Sequence, residues 1–462
     1  MTDEAAFRWP TLGPERRVML RRLAEHPDAP RWNHAAGDRL THDDLAALDR
    51  FREELRSLRS ARSPGPPPPR ILRRIASLAE LVPSFRRRIP QGLDLGRDWE
   101  HIDTMSREDV AVSIVDLLPD DADLEQLLVY RTAGTTGHAL LVPHAARAAA
   151  SYQPLLEHAI ERHGAHLSFD ANTVACFLVG AQARTVTYPT VLSAWGGAGF
   201  AKLNLHPPEW PREGSAARYF ADMAPRLLTG DPISFAEMLR QGIAARPVAL
   251  VSTAVAMSVA LREKLARAYA CPVIDWYSLT ETGPIGYLCR VTESYHLLPH
   301  DLHIEALDEQ GRPVAPAQRG EITVSGGRNP FLPLLRYRTG DYGALDHAPC
   351  PCGDPMPRIV GLEGRAPVLF RAHTGALVNP VDLSRILREF PFVQHELKQR
   401  ADRSCELVAR PLPSQVPDPA EVIAALRTVL GDVKLAVRFD PHLGDRAEGK
   451  VIPYQSELLL ED

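Results

Sequence analysis

From residue 127 to about 285 the chain alternates short apolar runs of strand type with stretches of helical type. Leu127-Leu128-Val129-Tyr130, Thr173 to Val179, Val248 to Ser252 and Val273 to Tyr277 read as strands. Ala216 to Met223 and the segment around Ala260 to Ala270 read as the helices between them. Strands that return to one sheet through helical crossovers are parallel, so this pattern predicts an α/β domain with a largely parallel sheet. The carboxyl ends of such strands are where open α/β sheets bind ligands.

The flanks differ in kind. His303 to Asp308 followed by Gly311-Arg312, then Gly320 to Ser325, reads as antiparallel strands with tight turns, a barrel-like section. After about residue 365 a smaller α+β unit is expected, with helices at Val381 to Glu389 and Pro419 to Leu430 and strands at Glu406 to Ala409 and Leu435 to Phe439. Residues 1–62 carry helical patterning, including a helix from Thr41 to Leu58 with Thr41 as cap and Asp44 in its first turn. The run Ser63-Pro64-Gly65-Pro66-Pro67-Pro68-Pro69 favours extended polyproline geometry and reads as a linker. The expected organisation is therefore a helical appendage (1–62), a linker (63–69), a large α/β domain of mixed and parallel sheets with the barrel-like antiparallel section (70–364), and a small C-terminal α+β lid domain (365–462).

A chain of 462 residues with 45% apolar content can bury such cores. A net charge of −5 argues against nucleic acid as a partner. No run of about twenty apolar residues offers a membrane span, and the first residues lack a signal-peptide pattern, so the expected location is the cytoplasm. Six cysteines in a chain of this length are expected to be thiols or metal ligands rather than a disulfide scaffold. Arginine dominates the 53 basic residues; lysine occurs only at 202, 264, 398, 434 and 450.

Four stretches carry chemistry. Thr132-Ala133-Gly134-Thr135-Thr136-Gly137-His138, with two glycines and three threonines, is too polar and too flexible for a helix or a buried strand. As a loop after a strand it can turn backbone N–H groups and hydroxyls toward one polyphosphate. Tyr277-Ser278-Leu279-Thr280-Glu281 places a carboxylate just past a strand end, a hard ligand suited to the Mg²⁺ that accompanies ATP. Asp341, in Arg336-Tyr337-Arg338-Thr339-Gly340-Asp341, can accept hydrogen bonds from both hydroxyls of a ribose. Lys450, in Glu448-Gly449-Lys450, is a compact charge on a glycine-softened loop.

In this order the stretches resemble the adenylate-forming superfamily, the acyl-CoA synthetases and peptide-synthetase adenylation domains, and within it the phenylacetate-CoA ligase branch. Thr132 to Gly137 is similar to that family's phosphate loop, Tyr277 to Glu281 to its Tyr-Gly-x-Thr-Glu motif, and Tyr337 to Asp341 to its Tyr-Arg-Thr-Gly-Asp motif. Gly364-Arg365 and Gly449-Lys450 match its hinge and C-terminal motifs, and Pro-Ser-Phe-Arg at 83–86 resembles an early segment of the branch. The resemblance covers the chain from about residue 70 onward. It implies that Thr132, Gly134, Thr135, Thr136, Gly137, His138, Tyr277, Asp341 and Arg365 bind the nucleotide, and that Thr280, Glu281, Arg365 and Lys450 serve catalysis, Glu281 through Mg²⁺. The implied reaction joins a carboxylate to the α-phosphate of ATP and releases pyrophosphate.

Three positions depart from the pattern. His138 stands where the loop has lysine, Pro367 follows Gly364-Arg365 where the hinge residue is often aspartate, and Val251 to Ala256 replaces a glycine-rich segment beside the adenine. Proline fixes its own φ and restricts the residue before it, so rotation at this hinge is hindered. The acceptor of the acyl group is accordingly open: CoA, a carrier-protein thiol, an amine, or a hydroxyl. A nucleotide-binding subunit without turnover is the reading from another class. The oligomeric state is equally open, with a homodimer among the forms.

Cys350-Pro351-Cys352-Gly353 is a tight pair of thiols, and Cys289 with His296 lies upstream. Thiolates and imidazole from two loops are what a tetrahedral structural Zn²⁺ takes, and relatives in the same branch carry a similar arrangement. Ordinary free thiols are the alternative. For the acid, Tyr188, Trp195, Gly197, Gly283, Pro284 and Ile285 are the expected pocket lining. Small residues beside aromatic ones point to a flat aryl or arylacetic acid.

Overall fold

The computed structural model describes all residues except 1, 58–64, 113, 132–139, 255–256, 300, 364–367, 388, 412–415, 442, 444–451 and 459–462. A hairpin of β1 (Leu127–Arg131) and β2 (Leu141–Ala145) flanks the threonine-rich stretch. The main sheet contains β3 (Val174–Gly180), β4 (Tyr188–Leu192), β5 (Ala198–Asn204), β6 (Leu227–Gly230), β7 (Ala249–Ser252), β8 (Val273–Leu279), β9 (Gly283–Leu288), β10 (Ser294–Leu297), β11 (Leu302–Leu307), β12 (Arg319–Gly326), β13 (Leu334–Asp346) and β14 (Arg358–Glu363). Their order is β11-β12-β13-β14-β10-β9-β8-β7-β6-β3-β5-β4.

Strand β8 is the pivot of this sheet. On one side it pairs in parallel with β7, and the parallel run continues through β6, β3 and β5; on the other it pairs antiparallel with β9. The physical basis lies in the sequence. The parallel strands are nearly continuous apolar runs because helices cover both faces, as with Val174 to Val179 and Ala249 to Ser252. The antiparallel half behaves as expected in pairing but does not close into a barrel among the described residues: β11 is left as an edge.

The N-terminal segment is held by far more than its linker. Trp9, Leu12, Met19 and Leu23 enter the core beside β3 and β5, and Phe51 and Leu55 enter a second core with Trp195 and Trp276. Asp28, 5% exposed, holds Arg218 at 2.8 Å and Ser215 at 2.6 Å. These guanidinium and hydroxyl donors keep its carboxyl well below the usual carboxylate range. Helix His42–Ser57 starts with the expected cap: the Asp44 N–H donates to Thr41 Oγ1 at 3.2 Å, and the Thr41 N–H donates to Asp44 Oδ2 at 3.0 Å.

The C-terminal unit contains a two-strand ribbon, β15 (Phe370–Arg371) and β16 (Leu377–Val378), and a four-strand sheet. The latter has β17 (Phe392–Gln399), β18 (Cys405–Pro411), β19 (Leu435–Phe439) and β20 (Tyr454–Ser456) in the order β19-β18-β17-β20. Helices Pro380–Leu387 and Pro419–Leu430 complete a separate core around Leu383, Leu397, Leu407, Leu426 and Leu430. At the start of the first helix the unit meets the large domain, where the Ala183 N–H donates to Asp382 Oδ2 at 2.8 Å. Among the described residues no helix is long and apolar enough to cross a membrane.

Candidate active site

The turn from β8 to β9 follows the last parallel-paired strand, and it carries Thr280 and Glu281. Glu281 is 4% exposed, a cost that a carboxylate recovers only through donors. Tyr337, reaching over from β13, donates its O–H to Glu281 Oε1 at 2.7 Å, and Arg107 Nη1 lies 3.6 Å from the same oxygen. A parallel arrangement serves the second acid. The Tyr277 O–H, from β8, donates to Asp341 Oδ2 at 3.0 Å. Burial, and then the Asp341 charge, push the Tyr277 hydroxyl well above its ordinary value, so it remains a donor.

Strand β13 brings Asp341 into place through its own backbone. Gly340 has φ +79, a left-handed value glycine tolerates, and its N–H donates to Glu321 Oε1 at 2.9 Å. Glu321 Oε2 also accepts from Arg338 Nε at 2.7 Å, and Thr339 Oγ1 accepts the Asp341 N–H at 3.1 Å. Two carboxylates, each oriented by a buried tyrosine, thus face the same strand junction.

The other wall is aromatic. His144, on β2 and 2% exposed, sits 3.0 Å through Nε2 from the Thr280 carbonyl, so that nitrogen carries the proton. Burial pulls the His144 pKa down despite this bond, which keeps the ring neutral. Tyr130 packs edge-on to His144 with centroids 5.0 Å apart, and Tyr152 does so at 6.4 Å. Gly283 has φ +71, and a Cβ there would stand 2.8 Å from the Tyr152 hydroxyl, so glycine alone lets this ring close on the turn.

Of the residues expected from sequence, Tyr277, Thr280, Glu281, Gly283 and Asp341 come together. The neighbouring Pro284 pairs in register with Ser278. Tyr188 lies on edge strand β4 against Phe200 and His34. Trp195 has a packing role, its ring tilted against Phe169 with centroids 4.5 Å apart and its ring N–H donating to Glu157 Oε1 at 2.6 Å; Gly197, at φ +89, forms the adjoining turn. Ile285 is buried in the antiparallel core and lines a cavity of about 290 Å³ shared with Trp99, Leu302 and Met356. Thr132, Gly134, Thr135, Thr136, Gly137, His138, Arg365, Pro367 and Lys450 lie outside the described residues. Sequence reasoning missed Tyr337, Arg107, His144 and Tyr152. Only Tyr337 left a signal, being inside the Asp341 stretch.

A second cluster joins Cys289, His296, Cys350 and Cys352, whose ligand atoms all lie within 4.8 Å of one another. Cys289 and Cys350 Sγ are 3.7 Å apart and His296 Nε2 is 3.2 Å from Cys352 Sγ. A tetrahedral ion with Zn–S bonds of about 2.3 Å has ligand–ligand edges of about 3.8 Å, so the spacing suits such an ion. His296 Nδ1 lies 3.0 Å from the Met356 carbonyl and donates to it, which directs the Nε2 lone pair into the cluster. Backbone N–H groups of Val291 and Asp354 point at the sulfurs of Cys289 and Cys352, 3.4 and 3.3 Å away. Asp354, next to the knuckle, binds Arg162 Nε at 2.9 Å and accepts from the Tyr287 hydroxyl. Helix Tyr152–Arg162 therefore has one end at the thiol cluster and the other at Gly283.

No family model matches the sequence, and no curated protein matches it. Solved structures do match in fold. A 2-hydroxyisobutyryl-CoA ligase in complex with 2-HIB-AMP and CoA, in the thioesterification state, superposes with a TM-score of 0.54 at 17% identity, covering 84% of this chain and 88% of that one. The same ligase in the postadenylation state gives 0.49 with the same identity and coverage. A malonyl-CoA ligase ternary product complex gives 0.39 at 21% identity, covering 68% and 70%. The chain has the fold of an adenylate-forming acid–CoA ligase: a large domain built on a mixed sheet, followed by a small C-terminal sheet domain.

Proposed function

We propose that this chain is an adenylate-forming ligase of the phenylacetate-CoA ligase type, which activates an aryl or arylacetic acid with ATP and passes the acyl group to a thiol. The observation that carries the proposal is the pair of tyrosine-oriented carboxylates at the β8 junction, Tyr337 on Glu281 and Tyr277 on Asp341, in the fold of an acid–CoA ligase. Asp341 takes the ribose hydroxyls, and Tyr277 keeps one of its oxygens in position. Glu281 has Oε1 committed to Tyr337 and Arg107, leaving Oε2 to hold the Mg²⁺ of MgATP. Bound there, Mg²⁺ supplies charge neutralisation on the phosphates.

A substrate carboxylate oxygen attacks the α-phosphorus; the bond to the β-phosphate bridging oxygen breaks, and pyrophosphate leaves. Charge grows on the non-bridging oxygens of the phosphorus. The amides and hydroxyls of Thr132 to Gly137, with Lys450 and Arg365, are the groups positioned by sequence to stabilise it. No side chain acts as nucleophile, so the protein contributes orientation and electrostatics. The aromatic cluster of Tyr130, His144 and Tyr152, with Tyr152 against Gly283, favours a flat acyl group. The Cys289, His296, Cys350 and Cys352 cluster holds a structural Zn²⁺, four ligands leaving no open position for chemistry.

ATP–pyrophosphate exchange across substituted benzoic, phenylacetic and heteroaryl acids tests the proposal. Exchange dependent on one acid, and lost in Lys450→Ala and Glu281→Gln, is expected. Tight ATP binding with no acid-dependent exchange would overturn it.

A further inference from the structure

A small cavity of about 150 Å³ opens where five segments meet: helix His42–Ser57, helix Pro69–Ala79, the segment Arg147 to Ser151, and the two loops carrying Asp301 and Arg328. That volume is about five waters at roughly 30 Å³ each. Three arginines line it, Arg74, Arg147 and Arg328, with one carboxylate, Asp301, and with Ser151, whose hydroxyl donates to the Ala148 carbonyl at 2.6 Å.

The charges are not balanced. Asp301 is already shared, with Arg70 at 3.1 Å and Arg328 at 3.3 Å, and Arg328 also meets Glu54 at 3.4 Å, so that four arginines face Asp301, Glu54 and Asp44. Arg328 is pinned with its guanidinium 3.5 Å over the Phe51 ring, yet its buried Nε has no hydrogen-bond partner. Arg147 reaches Asp44 only at 3.7 Å. The Arg74 guanidinium forms no ion pair or hydrogen bond among the described residues; its backbone carbonyl accepts from Ser77 Oγ at 2.8 Å. Burial, opposed by Asp301 and assisted by repulsion from Arg328 and Arg147, lowers its pKa. Arginine does not give up its proton in proteins, so the cluster stays cationic and the mutual repulsion is a standing cost. An anion in the cavity removes that cost and supplies acceptors for the idle N–H groups.

We propose that this cavity is an oxyanion site that takes a phosphate group, bound by Arg74, Arg147 and Arg328. Three guanidinium forks around so small a space match a tetrahedral, multiply charged oxyanion better than a planar carboxylate or a halide. The group arrives either as free phosphate or pyrophosphate or as the phosphomonoester of a larger ligand. Its assignment does not depend on the proposed catalytic reaction.

Calorimetric titration of the full chain at fixed ionic strength with inorganic phosphate, pyrophosphate, glycerol 2-phosphate and potassium chloride tests this. The expected result is phosphate-class binding that weakens about tenfold in Arg74→Gln and in Arg147→Gln. Arg147 has a side chain 54% exposed, so its substitution keeps the test open if Arg74→Gln does not fold. Binding of inorganic anions but not of glycerol 2-phosphate assigns a free anion as ligand. Equal or tighter binding of the monoester assigns a phosphate carried by a larger molecule. Phosphate binding no tighter than chloride, or equal affinity in the wild type and both arginine variants, overturns the proposal.

Discussion

Tyr337→Phe removes one oxygen from a ring that is 1% exposed and leaves its packing in place. What is lost is the O–H that meets Glu281 Oε1 at 2.7 Å; Arg107 at 3.6 Å is too far to replace it as a hydrogen bond. A hydrogen bond to a charged group contributes about 1.5–3 kcal/mol, which corresponds to a factor of roughly 10 to 100 in affinity. If Glu281 holds Mg²⁺, this loss falls on MgATP and spares metal-free ATP. The assay is calorimetric binding of ATP with and without Mg²⁺ in wild type, Tyr337→Phe, Glu281→Gln and the double variant. MgATP binding is expected to weaken by about tenfold or more in each single variant. The double variant should be scarcely worse than Glu281→Gln, because the tyrosine acts through the carboxylate. MgATP affinity unchanged in Tyr337→Phe, or additive effects in the double variant, would refute this reasoning.

Three further outcomes follow from the same geometry. Purified protein is expected to hold one equivalent of zinc by metal analysis, and His296→Ala to lose it with a lowered melting temperature; folded wild type without zinc would remove the metal assignment. Gly283→Ala places a methyl 2.8 Å from the Tyr152 hydroxyl at φ +71. It should cost about 1–3 kcal/mol in chemical denaturation; a neutral effect would show that Tyr152 is free to move. His158 sits with its pKa lowered by burial, so in the folded chain it stays neutral below the unfolded value of about 6.5. Its contribution is complete above that pH and is lost as pH falls toward the folded value, with a slope of up to about 1.4 kcal/mol per pH unit. His158→Leu should flatten the stability–pH curve below pH 6.5 by that amount, and an unaltered slope would contradict it.

Much of this fold is legible in the residues. The apolar runs at Thr173, Val248 and Val273 and the helices at Pro419 and Ala216 lie within a residue or two of their observed bounds, because parallel strands buried on both faces leave no room for polar alternation. Strands β4 and β5 were not legible: Tyr188 to Leu192 and Ala198 to Asn204 have weak patterning, and pairing with β3 decides their state. Nor does a polyproline break announce how the segment before it packs. Trp9 and Leu23 are buried by contacts some 180 residues distant in sequence, such as the Trp9 ring N–H on the Val191 carbonyl at 3.0 Å.

The site divides in the same way. Glu281 and Asp341 stand in short motifs whose spacing carries their chemistry. Their partners Arg107 and His144 do not, since a lone arginine or histidine takes its meaning from the strand it meets, here the turn after β8. Trp195 illustrates the converse. An aromatic residue beside two glycines has the composition of a pocket, yet its indole N–H is committed to Glu157, which Arg52 also holds.

The most direct test of carboxylate activation follows the oxygen atoms. With an acid that supports exchange, labelled with ¹⁸O in both carboxylate oxygens, AMP released in a complete turnover is examined by mass spectrometry. Attack of the carboxylate on the α-phosphorus, followed by acyl transfer, predicts one ¹⁸O in AMP and none in pyrophosphate. Unlabelled AMP, or formation of ADP in place of AMP, would contradict it.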